Sequence, residues 1–272
     1  SYDDRYFVTA SWRRDYESRL PKDKNYGDFP AFTAAWKVSN EKFFERIQNT
    51  VNLLKIRASW GRVGNLGSIG YNYKSNNLAT GVMNEQAYYG AAIGSMYGTL
   101  VYNSKALNRL LTWETSEQFD LGIDLALFNS RLDLSIDYFN KRTFNLIQEQ
   151  TTGWPNTIGV SPQLVNQGEI KNKGIEVQAG WNDKIGKHTN YYVKGNFTWL
   201  NNKVTSTGIV QDDGTPCVWS GGGDWRMLPW AYQTCVGGPL NQFYISKTNG
   251  IIKNDADLKK AQAAQPNAQL GD

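Results

Sequence analysis

Residues 117–147 read EQFDLGIDLALFNSRLDLSIDYFNKRTFNLI, and this stretch decides the fold class. Phe119, Leu121, Ile123, Leu125 and Leu127 alternate with Gln118, Asp120, Gly122, Asp124 and Ala126. Phe128-Asn129-Ser130-Arg131 reverses the chain, and Leu132, Leu134, Ile136 and Tyr138 then alternate with Asp133, Ser135, Asp137 and Phe139. A period of two sends the large apolar residues to one face and the carboxylates to the other. Strands of soluble sandwiches usually run about 5–6 residues. These run at least about 9–11, the length a tilted strand needs to cross a bilayer. The stretch reads as a transmembrane β-hairpin closed by a tight turn.

The pattern recurs outward in both directions. Arg5–Ser18 sets Tyr6, Val8, Ala10 and Trp12 against Thr9, Ser11, Arg13 and Asp15; Phe29–Ser39 sets Phe32, Ala34, Trp36 and Val38 against Thr33, Ala35 and Lys37. Leu53–Arg62 sets Leu54, Ile56, Ala58 and Trp60 against Lys55, Arg57 and Ser59. Beyond the central hairpin, Lys173–Trp181 alternates Ile175, Val177, Ala179 and Trp181 with Glu176, Gln178 and Gly180. Tyr191, Val193, Phe197 and Trp199 mark the next strand, and Asn241–Asn254 reads as a further one. The outward Trp12, Trp36, Trp60, Trp181 and Trp199 suit a membrane interface.

The connections carry a second signal. Residues 128–131 and 182–188 are short, as is a link at 40–52, where Ser39 or Asn40 caps an expected short helix bearing Phe43, Phe44, Ile47 and Val51. Residues 20–27, 63–110, 148–163 and 207–236 form loops. Alternating short and long connections mark outer-membrane barrels, with short periplasmic turns and long extracellular loops. Asp255–Gln265 reads as a surface helix stopped by Pro266.

Composition agrees with a strand-built membrane protein. The chain has 272 residues and no apolar run long enough for a transmembrane helix. Its mean hydropathy of −0.54 looks soluble, as it does for barrels, which hide apolar content in alternation. Ten Trp and 15 Tyr suit interfacial girdles. The net charge of +4 is mild and scattered, so nucleic-acid binding is not indicated.

Candidate chemistry is sparse. Ser39-Asn40-Glu41-Lys42 spells an acylating motif, but a helix cap explains the serine. Gly61, Gly64 and Gly67 lack the Lys-Ser/Thr of a phosphate loop. His188 has no ligand partner nearby in the sequence. Asp120, Asp124, Asp133 and Asp137 could suggest the paired acids of a glycosidase, yet their strict alternation reads as a polar lumen wall. No catalytic residue, metal site or cofactor is expected. Cys217 and Cys235 enclose 17 residues; a disulfide there constrains the loop by roughly 3 kcal/mol under the chain-entropy model, although pairing stays open at this level. The loop aromatics Tyr71, Tyr73, Tyr88, Tyr89, Tyr97, Tyr102, Trp154, Trp219 and Trp225 are candidates for stacking on sugar rings or packing against a covering partner.

Several stretches resemble a known family. They are Tyr6–Asp15 (YFVTASWRRD), Gly27–Phe32 (GDFPAF), Leu54–Asn65 (LKIRASWGRVGN), Leu111–Glu114 (LTWE), Asp137–Thr143 (DYFNKRT), Asn166–Glu176 (NQGEIKNKGIE) and Gly238–Tyr244 (GPLNQFY). In this order they resemble the C-terminal part of the β-barrel of SusC/RagA-type TonB-dependent transporters of Bacteroidetes. The expected fold class is all-β, a partial transmembrane barrel of antiparallel strands. The resemblance implies a barrel of 22 strands, of which about nine are readable here. Residues 1–272 are then expected to be a fragment of the barrel domain, without the plug, the early strands and the last strands.

The resemblance implies a location in the outer membrane of a Gram-negative bacterium. It also implies TonB-dependent import of an oligomeric nutrient, a glycan before a peptide. Partners would be a SusD-like lipoprotein lid, TonB through an N-terminal region, and outer-membrane lipids. Two other readings stay beside it: a surface receptor or signal-transducing barrel, and a soluble β-rich carbohydrate-binding module.

Overall fold

The structure, a computed structural model, describes residues 1–67, 69, 78–80, 92–93, 96–97, 101–103, 108–150, 162–186, 188–208, 217–220, 232–243 and 251–269. Seven long strands dominate it: β1 (Tyr6–Tyr16), β2 (Tyr26–Lys37), β3 (Val51–Asn65), β4 (Glu114–Leu127), β5 (Leu132–Phe144), β6 (Glu169–Ile185) and β7 (Thr189–Ser206). They form one antiparallel sheet in chain order, each pairing with the next.

The register aligns the apolar halves of all seven strands. Val8, Ala34, Ala58, Leu121, Tyr138, Ile175 and Trp199 face one another in a continuous row. Leu121, Tyr138, Ile175 and Trp199 are 38–50 % exposed, so this face is uncovered by the described residues. An apolar surface of that extent marks a contact with another apolar phase. Along β4 it runs from Phe119 to Leu127, ~27 Å at ~3.4 Å per residue, close to the height of a membrane barrel's apolar band.

The band crosses the sheet diagonally. Its aromatic ends toward the short turns are Tyr6 and Trp36 in one row, Trp181 two rows further along, and Tyr191 one row beyond that. The displacement is roughly six residues over six strand steps, a tilt of about 35° at the usual strand spacings. A flat sheet has no reason to slide its apolar border in this way. Strands tilted within a membrane barrel do.

The short connections cluster at one end. Residues 128–131 form the β4–β5 turn, with Phe128, Asn129 and Ser130 all at φ near +58°. Thr50 O accepts from Phe128 N (2.9 Å), Asn52 Oδ1 accepts from Ser130 N (2.9 Å), and Arg131 O accepts from Asn182 N (2.8 Å). The turn is thereby tied to the β2–β3 link and to strands β3 and β6. The β6–β7 turn is shorter than the expected 182–188, because β6 extends to Ile185 and β7 begins at Thr189.

Between β2 and β3 the expected capped helix does not form. Two 3-10 turns, Val38–Asn40 and Lys42–Phe44, stand there without side-chain caps. Glu41 is extended between them (φ −80°, ψ 143°), its carboxylate drawn to Tyr6 Oη (2.7 Å) and Trp36 Nε1 (3.1 Å). Burying both Val38 and Phe44 within so short a link also defeats helical spacing. Ser39 is buried, and Asn40 Nδ2 donates to Asp4 O (2.9 Å) instead of capping.

The other end carries the long loops, and they begin on ordered bases. Ile147–Glu149 pairs with Leu164–Asn166 at the base of the expected 148–163 loop, beyond Asn145 and Gly168, both at positive φ. Cys217–Ser220, Tyr232–Cys235 and Gln242–Phe243 form a small three-stranded sheet. Of the strand expected over Asn241–Asn254, Gln242–Phe243 is strand and residues 251–254 are not. The helix α1 (Asp255–Ala264) follows, with Asn254 Oδ1 accepting from Asp257 N at 2.9 Å.

Candidate functional site on the polar face

The face opposite the apolar band is largely polar because most of the alternate residues are. Its best-ordered patch spans β3, β4 and β5. Arg57 donates from Nε to Asp124 Oδ2 (2.7 Å) and from Nη2 to Asp124 Oδ1 (2.9 Å), a two-pronged pairing that suits the planar guanidinium. The same Nη2 lies 2.9 Å from Asp137 Oδ1. Ser135 Oγ stands 3.0 Å from Asp124 Oδ1 and 3.1 Å from Asp137 Oδ2, so its one hydroxyl proton lies between the two carboxylates.

Gly122 makes this possible. It faces Arg57 on one side and Asp137 on the other. A Cβ built there collides with Asp137 Oδ1 and sits 2.9 Å from Arg57 Cζ. A second glycine serves Phe139, a large apolar residue on this face: a Cβ at Gly174 lies 2.7 Å from the Phe139 ring. Nearer the loops, Asp120 accepts from Ser59 Oγ (3.0 Å) and Gln118 Nε2 (2.7 Å). Arg57, Asp120, Lys141 and Glu176 share one shallow depression. Both signs of charge are presented to solvent, with Arg57, Asp120, Asp124 and Asp137 hydrogen-bonded to neighbouring side chains. Ser135 Oγ is drawn into the same pairing, between two carboxylates that Arg57 holds. Asp120, Asp124 and Asp137 therefore fit the lumen-wall reading of the alternation, with Asp133 in the same alternate set.

Above this wall the loop bases are packed. Leu20, Leu66, Ile69 and Leu111 form a buried cluster, with Trp113, Ile147 and Leu164 against it. Phe29 is buried edge-on to Trp113, with ring centroids 5.5 Å apart. Asn166 accepts from Thr112 N (2.7 Å) and donates to Thr112 O (2.8 Å) and Asn145 O (3.0 Å), clamping two loop entries together. Glu17 is held by the Arg19 side chain (2.7 Å) and backbone N–H (3.1 Å), which pull its carboxyl down to about 2. Arg19 also donates to Ile69 O at 3.0 Å. Sequence reading missed Arg57, Gly122, Asn166 and the Phe29–Trp113 pair. The glycine at 122 between Asp120 and Asp124 was the available signal.

Of the loop aromatics singled out, Tyr71, Tyr73, Tyr88, Tyr89, Trp154 and Trp225 lie outside the described residues. Tyr97, Tyr102 and Trp219 fall in the short strands Met96–Tyr97, Val101–Asn103 and Cys217–Ser220. Cys217 and Cys235 face each other across an antiparallel pair and are joined by a disulfide. Beside it the chain returns to β7: Val204 N donates to Gly238 O and Gly237 N to Val204 O, both at 2.8 Å. His188 lies in the β6–β7 turn, and no metal-binding cluster exists among the described residues.

Comparison with known proteins agrees with this geometry. The family described as "TonB dependent receptor-like, beta-barrel" matches residues 1–259. TonB-dependent receptor P3 of Formosa agariphila is 34% identical over 203 residues, covering 75% of this chain and 19% of that protein. TonB-dependent receptor SusC of Bacteroides thetaiotaomicron is 29% identical over 205 residues, covering 74% and 19%. The chain thus spans about a fifth of the length of the curated relatives it matches. In fold it superposes on the RagAB peptide importer in its closed-closed state with a TM-score of 0.73 at 22% identity, covering 92% of this chain and 24% of that one. The chain belongs to the TonB-dependent receptor-like β-barrel family, is similar in sequence to SusC and in fold to the RagAB importer, and its seven long strands are wall of an outer-membrane barrel.

Proposed function

We propose that the whole protein imports a nutrient oligomer across the outer membrane in a TonB-dependent manner. A SusD-like lipoprotein closes the extracellular mouth, and a plug coupled to TonB, in parts of the protein outside this chain, opens the lumen. The observation that carries this reading is the pairing of faces: an unbroken apolar band backs a hydrated wall of paired charges. Such a wall lets a polar oligomer slide without holding it at one strong site. A glycan is favoured over a peptide by the aromatic content of the loops, where Tyr71, Tyr73, Tyr88, Tyr89, Tyr97, Tyr102, Trp154, Trp219 and Trp225 offer flat apolar surfaces to the C–H faces of sugars.

The test is growth of a strain lacking the gene on single glycans and on peptides, with affinity capture of the tagged protein from outer membranes. Growth lost on one oligomeric glycan, together with a co-purifying lipoprotein, supports the proposal. Loss on peptides alone moves the substrate class. Normal growth on every oligomer with a lost transcriptional response replaces import by signalling.

A further inference from the structure

Immediately beyond the apolar band, on the long-loop side, the same outward face turns basic. Arg142 on β5 faces Lys171 on β6, and Lys171 faces Lys203 on β7. Lys173 sits one outward position nearer the band, opposite Asn140 and Asn201. Residues facing across strands have Cβ atoms about 4.5–5.5 Å apart, and like charges so placed oppose pairing. Glu169 serves both Arg142 and Lys171, the latter at 3.6 Å. Lys173 and Lys203 are exposed and have no carboxylate partner among the described residues. Glu117 on β4 also faces Arg142 but is paired with Arg62 at 2.7 Å. The five cations Arg62, Arg142, Lys171, Lys173 and Lys203 thus share two acids, Glu117 and Glu169, where folding alone favours separating like charges.

Their position indicates what balances the charge. Tyr138, Ile175 and Trp199 form the last apolar row directly beneath, so the cations lie at the headgroup level of the outer leaflet. We propose that Arg142, Lys171, Lys173 and Lys203 bind the phosphate of an outer-leaflet glycolipid, whose acyl chains lie along Ile175, Val177 and Phe197. Lysine stems run along the apolar row while their ammonium groups reach up to the phosphate. The site lies on the lipid-facing side, away from the lumen, and is independent of the substrate imported.

The experiment uses the full-length protein in mild detergent, with an outer-membrane glycolipid in phosphorylated and enzymatically dephosphorylated forms as probes. Binding is read by native mass spectrometry. Wild type retains the phosphorylated form preferentially, and the combined Lys171→Gln, Lys173→Gln, Lys203→Gln variant binds it roughly 100-fold more weakly, as expected for three basic residues near a lipid surface. A Lys259→Gln, Lys260→Gln variant in α1 binds as wild type. Heat-modifiable gel mobility reports folding; if the triple variant misfolds, Lys173→Gln alone is read, with roughly five-fold weaker binding expected. Equal retention of both glycolipid forms by wild type, or unchanged binding by a folded variant, overturns the proposal. So does full displacement by equimolar inorganic phosphate, which identifies a free-anion site instead.

Discussion

Arg57 reaches Asp137 across the backbone of Gly122, the residue that separates them in the register. An ion pair that skips a strand needs a strand with no side chain in its path. Glycine inside a strand ordinarily weakens it and often marks a close approach. Here the compensation is direct, since the guanidinium fills the space and ties three strands through Asp124, Ser135 and Asp137.

A methyl group at that position has nowhere to go. Gly122→Ala is expected to destabilise the barrel by about 1–3 kcal/mol, the usual cost of overpacking. Gly195, with nothing within 4 Å of its Cβ position, is the control. The midpoint of urea unfolding in detergent, compared between Gly122→Ala and Gly195→Ala, checks this. Equal midpoints would show that the crossing does not constrain the wall.

Charge removal from the same patch is asymmetric. Arg57→Met leaves Asp124 and Asp137 around Ser135 without the guanidinium they share, with Lys55 still opposite Asp124, whereas Asp137→Asn keeps the two-pronged Arg57–Asp124 pair. We expect a loss of about 1–3 kcal/mol for the first and under about 1 kcal/mol for the second, moderated by solvent access. The double variant should cost less than the sum, because the two changes remove one shared interaction. Additive losses in the unfolding midpoints would contradict the network.

The β4–β5 turn stores backbone strain. Phe128, Asn129 and Ser130 all lie at positive φ, where a side chain costs roughly 1–2 kcal/mol relative to the right-handed region. Ser130→Gly should therefore stabilise the protein by up to about 1 kcal/mol, reduced by the greater freedom of glycine in the unfolded chain. Ser130→Val should destabilise it. The backbone N–H of residue 130 still reaches Asn52 Oδ1 in both variants, so thermal midpoints isolate the conformational effect.

How much of this was legible follows from what each feature depends on. Strand alternation is local, and Phe119–Leu127 and Leu132–Tyr138 announce a two-faced hairpin without help from the rest of the chain. Register is not local. Arg57, Gly122 and Asp137 acquire their relationship only when β3, β4 and β5 are laid side by side, and the basic row joins residues 142, 171 and 203 in the same way. The 38–50 link misled because Phe43, Phe44 and Ile47 have helical spacing, while the pull of Tyr6 and Trp36 on Glu41 is invisible in one dimension. The loop bases hid for another reason: Asn166 looks like an ordinary turn residue until its three hydrogen bonds to Thr112 and Asn145 are seen.

Acid should loosen one loop base before the barrel. Glu17 titrates at about 2 against an ordinary value of 4.5, so its depressed carboxyl favours the folded arrangement above 4.5 and ceases to as pH falls toward 2. Arg19, freed from Glu17, then holds Ile69 O less firmly. Hydrogen exchange at residues 17–20 should accelerate across that window in wild type, with little further change in Glu17→Gln. The same acid response in both proteins would assign the loosening to other carboxylates.

Reduction should act on one extracellular loop and spare the wall. The Cys217–Cys235 disulfide closes the 217–235 segment at its base, beside the point where residues 237–238 rejoin β7. Cross-linking a loop of this length constrains the unfolded segment by roughly 3 kcal/mol in the chain-entropy model. The seven-stranded sheet makes no use of that bond, since the hydrogen bonds to Val204 come from Gly237 and Gly238. Cys217→Ser with Cys235→Ser, or treatment with dithiothreitol, should therefore leave the heat-modifiable mobility of the barrel unchanged. Protease cleavage between residues 217 and 235 should rise at least about ten-fold, because local opening is no longer opposed by the cross-link. A barrel that loses its folded mobility on reduction would place the disulfide in the stability of the wall itself.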